Sequence, residues 1–216
     1  MIKGIIFDMD GLIFDSERVV QRAWTEIGEE YGYRGMGDQI YHTVGFNRQR
    51  REVYFKSVYG QDFPHDLFVD KTREIFSRIV ETEGLPMKAG AEEVLKLAKE
   101  KGLHIGLATS SSSDYAIHEL TTAGIYEYFD GFVFGNMVTK SKPDPEIYLK
   151  ACEAVGIKAC EGLALEDAPS GVESASRAGL CVIMVPDLVQ PAPEIRKMAW
   201  KVADSLEDVI PLLKLQ

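Results

Sequence analysis

Two hydrophobic periods alternate along the chain. Residues 2–7 form a short apolar run that ends abruptly in Asp8, as a buried strand with polar groups at its carboxyl end does. From Ser16 the period lengthens. Val19, Val20, Ala23, Trp24 and Ile27 recur at three- and four-residue spacing, which predicts an amphipathic helix. Ser16 is the expected N-cap, Glu17 places negative charge where the helix dipole favours it, and Gly32 is the expected stop. Residues 35–83 keep the helical texture, with helices expected near 47–59 and 66–83 and no strand.

Beyond Gly84-Leu85-Pro86 short apolar runs alternate with amphipathic segments. Helices are expected over 91–101, 114–123, 145–155 and 170–178, each followed by a glycine (Gly102, Gly124, Gly156, Gly179). Strands are expected at Leu103–Ala108, Phe132–Phe134, Leu163–Leu165 and Cys181–Val185. A short extended piece near 201–203 and a final helix near 205–215 complete the chain. Strands separated by such helices specify βαβ units around a parallel sheet. The expected fold class is α/β. Residues 1–14 and 85–216 form a doubly wound, Rossmann-like parallel sheet, and 15–84 form an inserted all-helical cap. Trp24, Tyr31, Tyr54 and Phe55 suit packing within that cap.

Composition narrows the partners. The 216 residues are 45% hydrophobic, enough for a real core. With 24 basic against 34 acidic side chains the net charge is −10, which argues against nucleic acid and anionic membranes as partners. No apolar run reaches the ~18 residues of a membrane span. The N-terminus meets Asp8 too soon for a signal-peptide core, so a cytoplasmic monomer is expected. Cys152, Cys160 and Cys181 are odd in number and lack a C-x-x-C, so neither a disulfide framework nor a zinc cluster follows. The four histidines are scattered and carry no metal or catalytic assignment.

In an open parallel sheet, ligands bind beyond the carboxyl ends of the strands. Asp8 and Asp10 follow the first strand, Thr109 and Ser110 the second, Lys142 lies in the loop after the third, and Glu166 with Asp167 end the fourth. Crowded carboxylates raise one another's pKa unless a cation holds them. Hard oxygen ligands suit Mg²⁺, which binds alongside substrate phosphate, and Lys142 offers charge to the remaining phosphate oxygens.

Phe7-Asp8-Met9-Asp10-Gly11 resembles the first motif of the haloacid dehalogenase superfamily. Thr109 is similar to its second, Lys142-Pro143-Asp144-Pro145 to its third and Glu166-Asp167 to its fourth. Order, spacing and the insertion after the first strand fit over essentially the whole chain. The nearest resemblance is to the β-phosphoglucomutase-like branch with its phosphorylated-carbohydrate phosphatases. It implies Mg²⁺-dependent hydrolysis of small sugar phosphates through an aspartyl-phosphate. Asp8 would be the nucleophile, Asp10 the general acid and then base, and Thr109 and Lys142 would hold the transferring oxygens. Asp8, the backbone carbonyl of Asp10, and Asp167 would bind the metal, with Glu166 as a further ligand or its support; Mn²⁺ or Co²⁺ are expected substitutes.

Asp10 sets the reaction apart from superfamily dehalogenases, because a departing halide needs no proton, and from the transport ATPases, which carry Thr there. Gly45-Phe46-Asn47-Arg48 resembles the G-x-x-R loop of the branch's cap, making Gly45 and Arg48 candidate substrate contacts, with Lys71 and Ser110 beside them. The branch's mutases carry a His on the first cap helix where Val20 stands, which favours hydrolysis over the alternative, a sugar phosphomutase. A phospho-signalling receiver also uses Asp, Thr or Ser, Lys and Mg²⁺, but places its acceptor after a middle strand and has no cap.

Overall fold

The structure, a computed structural model, describes residues 2–44, 46 and 48–214. The chain divides into two compact units, Met1–Phe14 with Met87–Gln216, and Asp15–Pro86; the second crossing lies two residues beyond the boundary expected from sequence.

The larger unit is built on strands β1 (Gly4–Phe7), β2 (His104–Ala108), β3 (Gly131–Val133), β4 (Gly162–Glu166), β5 (Cys181–Met184) and β6 (Lys201–Val202). All pair in parallel, in the order β3-β2-β1-β4-β5-β6. Ile6, Ala108, Val133, Ala164, Val182 and Met184 share one face, which packs on Ile147, Tyr148 and Ala151 of α7 (Glu146–Ala154) and Val172 and Ala175 of α8 (Pro169–Ala178). The alternate residues Ile5, Phe7, Leu107, Leu163, Leu165 and Ile183 are fully buried on the other side. There α5 (Ala91–Glu100) packs on β2 and against α10 (Val209–Lys214). The remaining helices of this unit are α6 (Ser113–Thr122) and α9 (Pro193–Met198).

Topology, more than composition, creates the crevice. The chain steps from β1 outward through β2 and β3, then returns to the other side of β1 for β4 and continues outward. Phe7 is in register with both Leu107 and Leu165, so Asp8 emerges level with Ala108 and Glu166. The loops after β1 and β4 diverge there, which is where α/β sheets open to a ligand.

The smaller unit holds α1 (Ser16–Tyr31), α2 (Ile40–Thr43), α3 (Arg48–Tyr59) and α4 (His65–Glu83), with no strand among its described residues. Trp24 meets the rings of Phe55 and Phe68 at 5.3 Å each, and Phe55 meets Phe63 at 5.3 Å and Phe68 at 4.8 Å. Arg22 on α1 grips Glu83 at the end of α4 through two hydrogen bonds of 2.9 and 2.7 Å. Tyr54 donates to Gln39 at 2.7 Å, but Tyr31 is 39% exposed and does not belong to this packing. Its place at the C-terminus of α1, beside the left-handed Gly32, turns it outward. Phe55 is fully buried at the centre of the cluster. Phe55→Ala is expected to cost the unit about 3–5 kcal/mol. Urea denaturation checks this, and a loss under about 1 kcal/mol would show that the ring is dispensable.

Two local expectations differ from the structure, and one helix goes beyond them. Ser16 is the first residue of α1 rather than its cap; Asp15 holds the cap position, and its carboxylate pairs with Arg18 at 2.7 Å instead of capping. Helix α9 was hidden in a proline-rich stretch, where Pro193 is tolerated because the first helical position needs no N–H. Helix α10 starts only at Val209, because the Asp208 carboxylate accepts the Ser205 N–H at 3.1 Å and folds 205–208 into a turn. No helix of the described residues is long and apolar enough to cross a membrane.

Candidate active site

Strand ends bring the carboxylates together. Asp8, Glu166 and Asp167 are all buried, and one carboxylate oxygen from each lies within 4.8 Å of the others. Lys142 enters from the loop after β3 through a cis Lys142–Pro143 peptide, and its ammonium donates to Asp8 Oδ1 and Glu166 Oε1 at 2.5 Å each. It also donates to the Ala108 carbonyl at 3.0 Å. Thr109, 1% exposed, stands at the end of β2, and its hydroxyl accepts the Ser111 N–H at 3.1 Å. The cap of α6 is Ser112, so Thr109 is not spent on that helix.

Two glycines keep this cluster tight. Gly11 has φ +82°, and a Cβ there would sit 2.3 Å from Asp167 Oδ2. A Cβ on Gly171 would sit 1.7 Å from Glu166 Oε1, so α8 approaches the carboxylate with backbone alone. The Glu166 carboxylate is densely bonded: Oε1 accepts from Lys142 and from the Tyr148 hydroxyl at 2.7 Å, Oε2 from the N–H groups of Asp167 at 3.1 Å and Ala168 at 3.2 Å. Tyr148 also sets its ring 5.1 Å from the Lys142 ammonium, a cation–π contact.

The electrostatics follow from burial. Burial is the largest influence on Asp8 and pushes its carboxyl up; Lys142 opposes it, Glu166 and Asp10 reinforce it, and the result is about 7. Burial alone would lower the Lys142 ammonium, but Asp8 and Glu166 outweigh it and hold it well above its ordinary value. Three buried carboxylates face one buried ammonium, an excess of negative charge. Such a donor set, all hard oxygens, fits a divalent cation such as Mg²⁺.

Asp10 is aimed differently from Asp8. Its Oδ2 accepts from the Ser111 hydroxyl at 2.7 Å and its Oδ1 from the Tyr115 hydroxyl at 3.3 Å. Burial, and then the charges of Asp10 and Glu119, raise the Tyr115 phenol far above its ordinary value, so it stays a donor. Ser110 is exposed and lines a cavity of about 240 Å³ with Gly135, Thr139, Ser141 and Lys142. Glu146 holds the loop leading to Lys142, accepting from the backbone of Thr139 and Lys140 and from Lys150.

In the helical unit, Gly45 lies outside the described residues. Arg48 pairs with Asp66 at 2.7 Å and Lys71 with Glu74 at 2.8 Å. Arg48 lines a cavity of about 300 Å³ with Arg51, His65, Thr72 and Arg73; Lys71 is not among its lining residues. Arg51, His65, Tyr115, Ser111 and Tyr148 were not singled out by sequence.

The haloacid dehalogenase-like hydrolase profile matches residues 5–185. The chain is 32% identical over 180 residues to a phosphorylated carbohydrates phosphatase of Thermotoga maritima, covering 83% of this chain and 82% of that protein. It is 29% identical over 188 residues to the fructose-1-phosphate phosphatase YqaB of Escherichia coli, covering 84% and 95%. Among solved structures it is similar to CbbY of Rhodobacter sphaeroides in complex with phosphate, at TM-score 0.75 and 25% identity over 97% of this chain and 96% of that one. The chain belongs to the haloacid dehalogenase-like hydrolases and is an enzyme of the phosphoric monoester hydrolase class.

Proposed function

We propose that the protein is a Mg²⁺-dependent phosphatase of small phosphorylated carbohydrates, working through an aspartyl-phosphate on Asp8. The buried Asp8–Glu166–Asp167 cluster, with the Lys142 ammonium between Asp8 and Glu166 at the diverging ends of β1 and β4, carries this reading. The names of the relatives support the carbohydrate substrate class.

Asp8 attacks phosphorus through one carboxylate oxygen, and the bond to the sugar oxygen breaks. Asp10 delivers a proton to that oxygen, so a neutral alcohol leaves. Asp10, now ionised, takes a proton from water as the water attacks the phosphorus of the aspartyl-phosphate. The bond to Asp8 then breaks and inorganic phosphate departs. Thr109 and Lys142 orient the transferring oxygens and neutralise their charge. Asp8, the Asp10 carbonyl and Asp167 would hold Mg²⁺, while Glu166, its oxygens already taken, fixes Lys142 and Tyr148. When bound, Mg²⁺ supplies positive charge to the phosphoryl oxygens and, like Lys142, favours the ionised form of Asp8. Residues 15–84 act as the cap that selects the sugar, with Gly45, Arg48 and Lys71 as contacts there and Ser110 as one on the core.

Phosphate release from hexose, pentose and triose phosphates tests the reading. Release with Mg²⁺ is expected, with loss in excess chelator and recovery on adding Mg²⁺, Mn²⁺ or Co²⁺. Full activity in chelator would reject the metal assignment. Conversion of β-glucose 1-phosphate to glucose 6-phosphate without phosphate release would make the enzyme a mutase.

A further inference from the structure

We propose that Tyr115 and Ser111 are positioning residues for Asp10, holding its carboxylate in the orientation from which the proton reaches the sugar oxygen. The inference rests on the phosphatase reading above and adds two residues to its proton-transfer step.

A terminal carboxylate torsion is broad, so an aspartate on a loop samples many orientations unless its oxygens are gripped separately. Both oxygens of Asp10 accept a side-chain hydrogen bond, Oδ2 from Ser111 Oγ and Oδ1 from the Tyr115 hydroxyl. Both donors stand on fixed backbone. The Ser111 N–H bonds to the Thr109 hydroxyl, and the Ser111 carbonyl accepts the Gly135 N–H at 2.9 Å. Tyr115 lies in the first turn of α6, whose next residue, Ala116, is fully buried. Donors aimed at a carboxylate fix the plane in which its remaining lone pair, or its proton, points. A group that must give and then take a proton within one reaction cycle gains from that fixed plane in both steps.

The step has a chemical signature that a purely structural role lacks. A sugar alkoxide is a poor leaving group and needs the proton; p-nitrophenolate leaves without one. The ratio kcat/KM reports events up to the first irreversible step, transfer to Asp8, for both substrates. General acid catalysis contributes about 10²–10⁴-fold, so loss of one positioning bond is expected to remove on the order of 10-fold. Tyr115→Phe and Ser111→Ala are each expected to lower kcat/KM on the sugar phosphate that the parent hydrolyses best by about that factor, with p-nitrophenyl phosphate changed less than about 3-fold. Ser111→Thr, which keeps the hydroxyl, should recover most of the Ser111→Ala loss. Asp10→Asn should show the same selectivity with a larger amplitude. Equal losses on both substrates, no loss on either, or faster turnover of the sugar phosphate would overturn the proposal while leaving the phosphatase reading in place. A wild-type enzyme that releases phosphate from none of the hexose, pentose or triose phosphates would overturn both.

Discussion

Asp8→Asn is expected to abolish phosphate release from every phosphate ester while leaving the fold intact. The amide is nearly isosteric, and its neighbours Lys142 and Glu166 keep their mutual bond at 2.5 Å. What disappears is the carboxylate proposed as nucleophile, and the uncatalysed reaction is so slow that no detectable turnover should remain. The same variant should also be more stable than its parent at pH 8 without metal. In the native parent the Asp8 carboxyl is pushed up to about 7, above its ordinary 3.8. The native state therefore holds that proton more tightly than the unfolded chain, and its stability declines as pH rises from about 4 through 7. An asparagine has no such proton to lose. Thermal melts at pH 4 and pH 8 in chelator check this: the gap in Tm should open only at the higher pH. Sustained phosphate release by Asp8→Asn would reject Asp8 as the nucleophile.

Lys142→Ala is expected to damage stability and activity together. The ammonium side chain is 8% exposed and bridges carboxylates that are 10% and 1% exposed. Removing one member of a buried charge cluster strands the others, at a cost of about 3–5 kcal/mol. Here the stranded groups are two carboxylates, and Glu166 raises Asp8. Asp8 would lose its main opposing charge and be pushed further up, so less of it would be ionised at neutral pH. Loss of a charged donor to the transferring phosphoryl group adds a rate penalty on the order of 10³-fold. Urea denaturation and phosphate release, measured on Lys142→Ala and on the bulkier Lys142→Met, separate packing from charge. Native stability with turnover within about 10-fold of the parent would contradict the arrangement described here.

The parts legible in the sequence are those where an apolar run stops. Phe7 to Asp8, Ala108 to Thr109 and Leu165 to Glu166 each mark a strand end, and parallel strands end on the same edge. Three such ends in one chain identify the edge from the sequence alone. Tyr115 and Tyr148 were illegible for the opposite reason. Their rings sit at apolar positions of amphipathic helices, and periodicity registers the ring without the hydroxyl. Ser111 was one of four consecutive serines. Only the loop geometry gives each a different task, with Ser111 on Asp10, Ser112 at the cap of α6 and Ser113 accepting from Asn136. Arg51, His65 and Arg73 come to the Arg48 cavity from two helices, so their proximity depends on helix packing that no local spacing reports.

The sheet order also governs how the protein comes into being. β1 precedes both of its neighbours in the chain by a long way, since β2 and β4 begin at His104 and Gly162. During translation the segment Gly4–Phe7 therefore emerges with both edges unpaired and waits through the whole helical insertion for its first partner. Such long-range pairing slows folding and leaves an apolar strand open to association with other chains. The helical unit, whose partners are local, can mature meanwhile. A ribosome stalled before residue 162 carries no fourth strand to set beside Asp8. The Asp8–Glu166–Asp167 cluster is thus assembled late and all at once, when β4 closes beside β1.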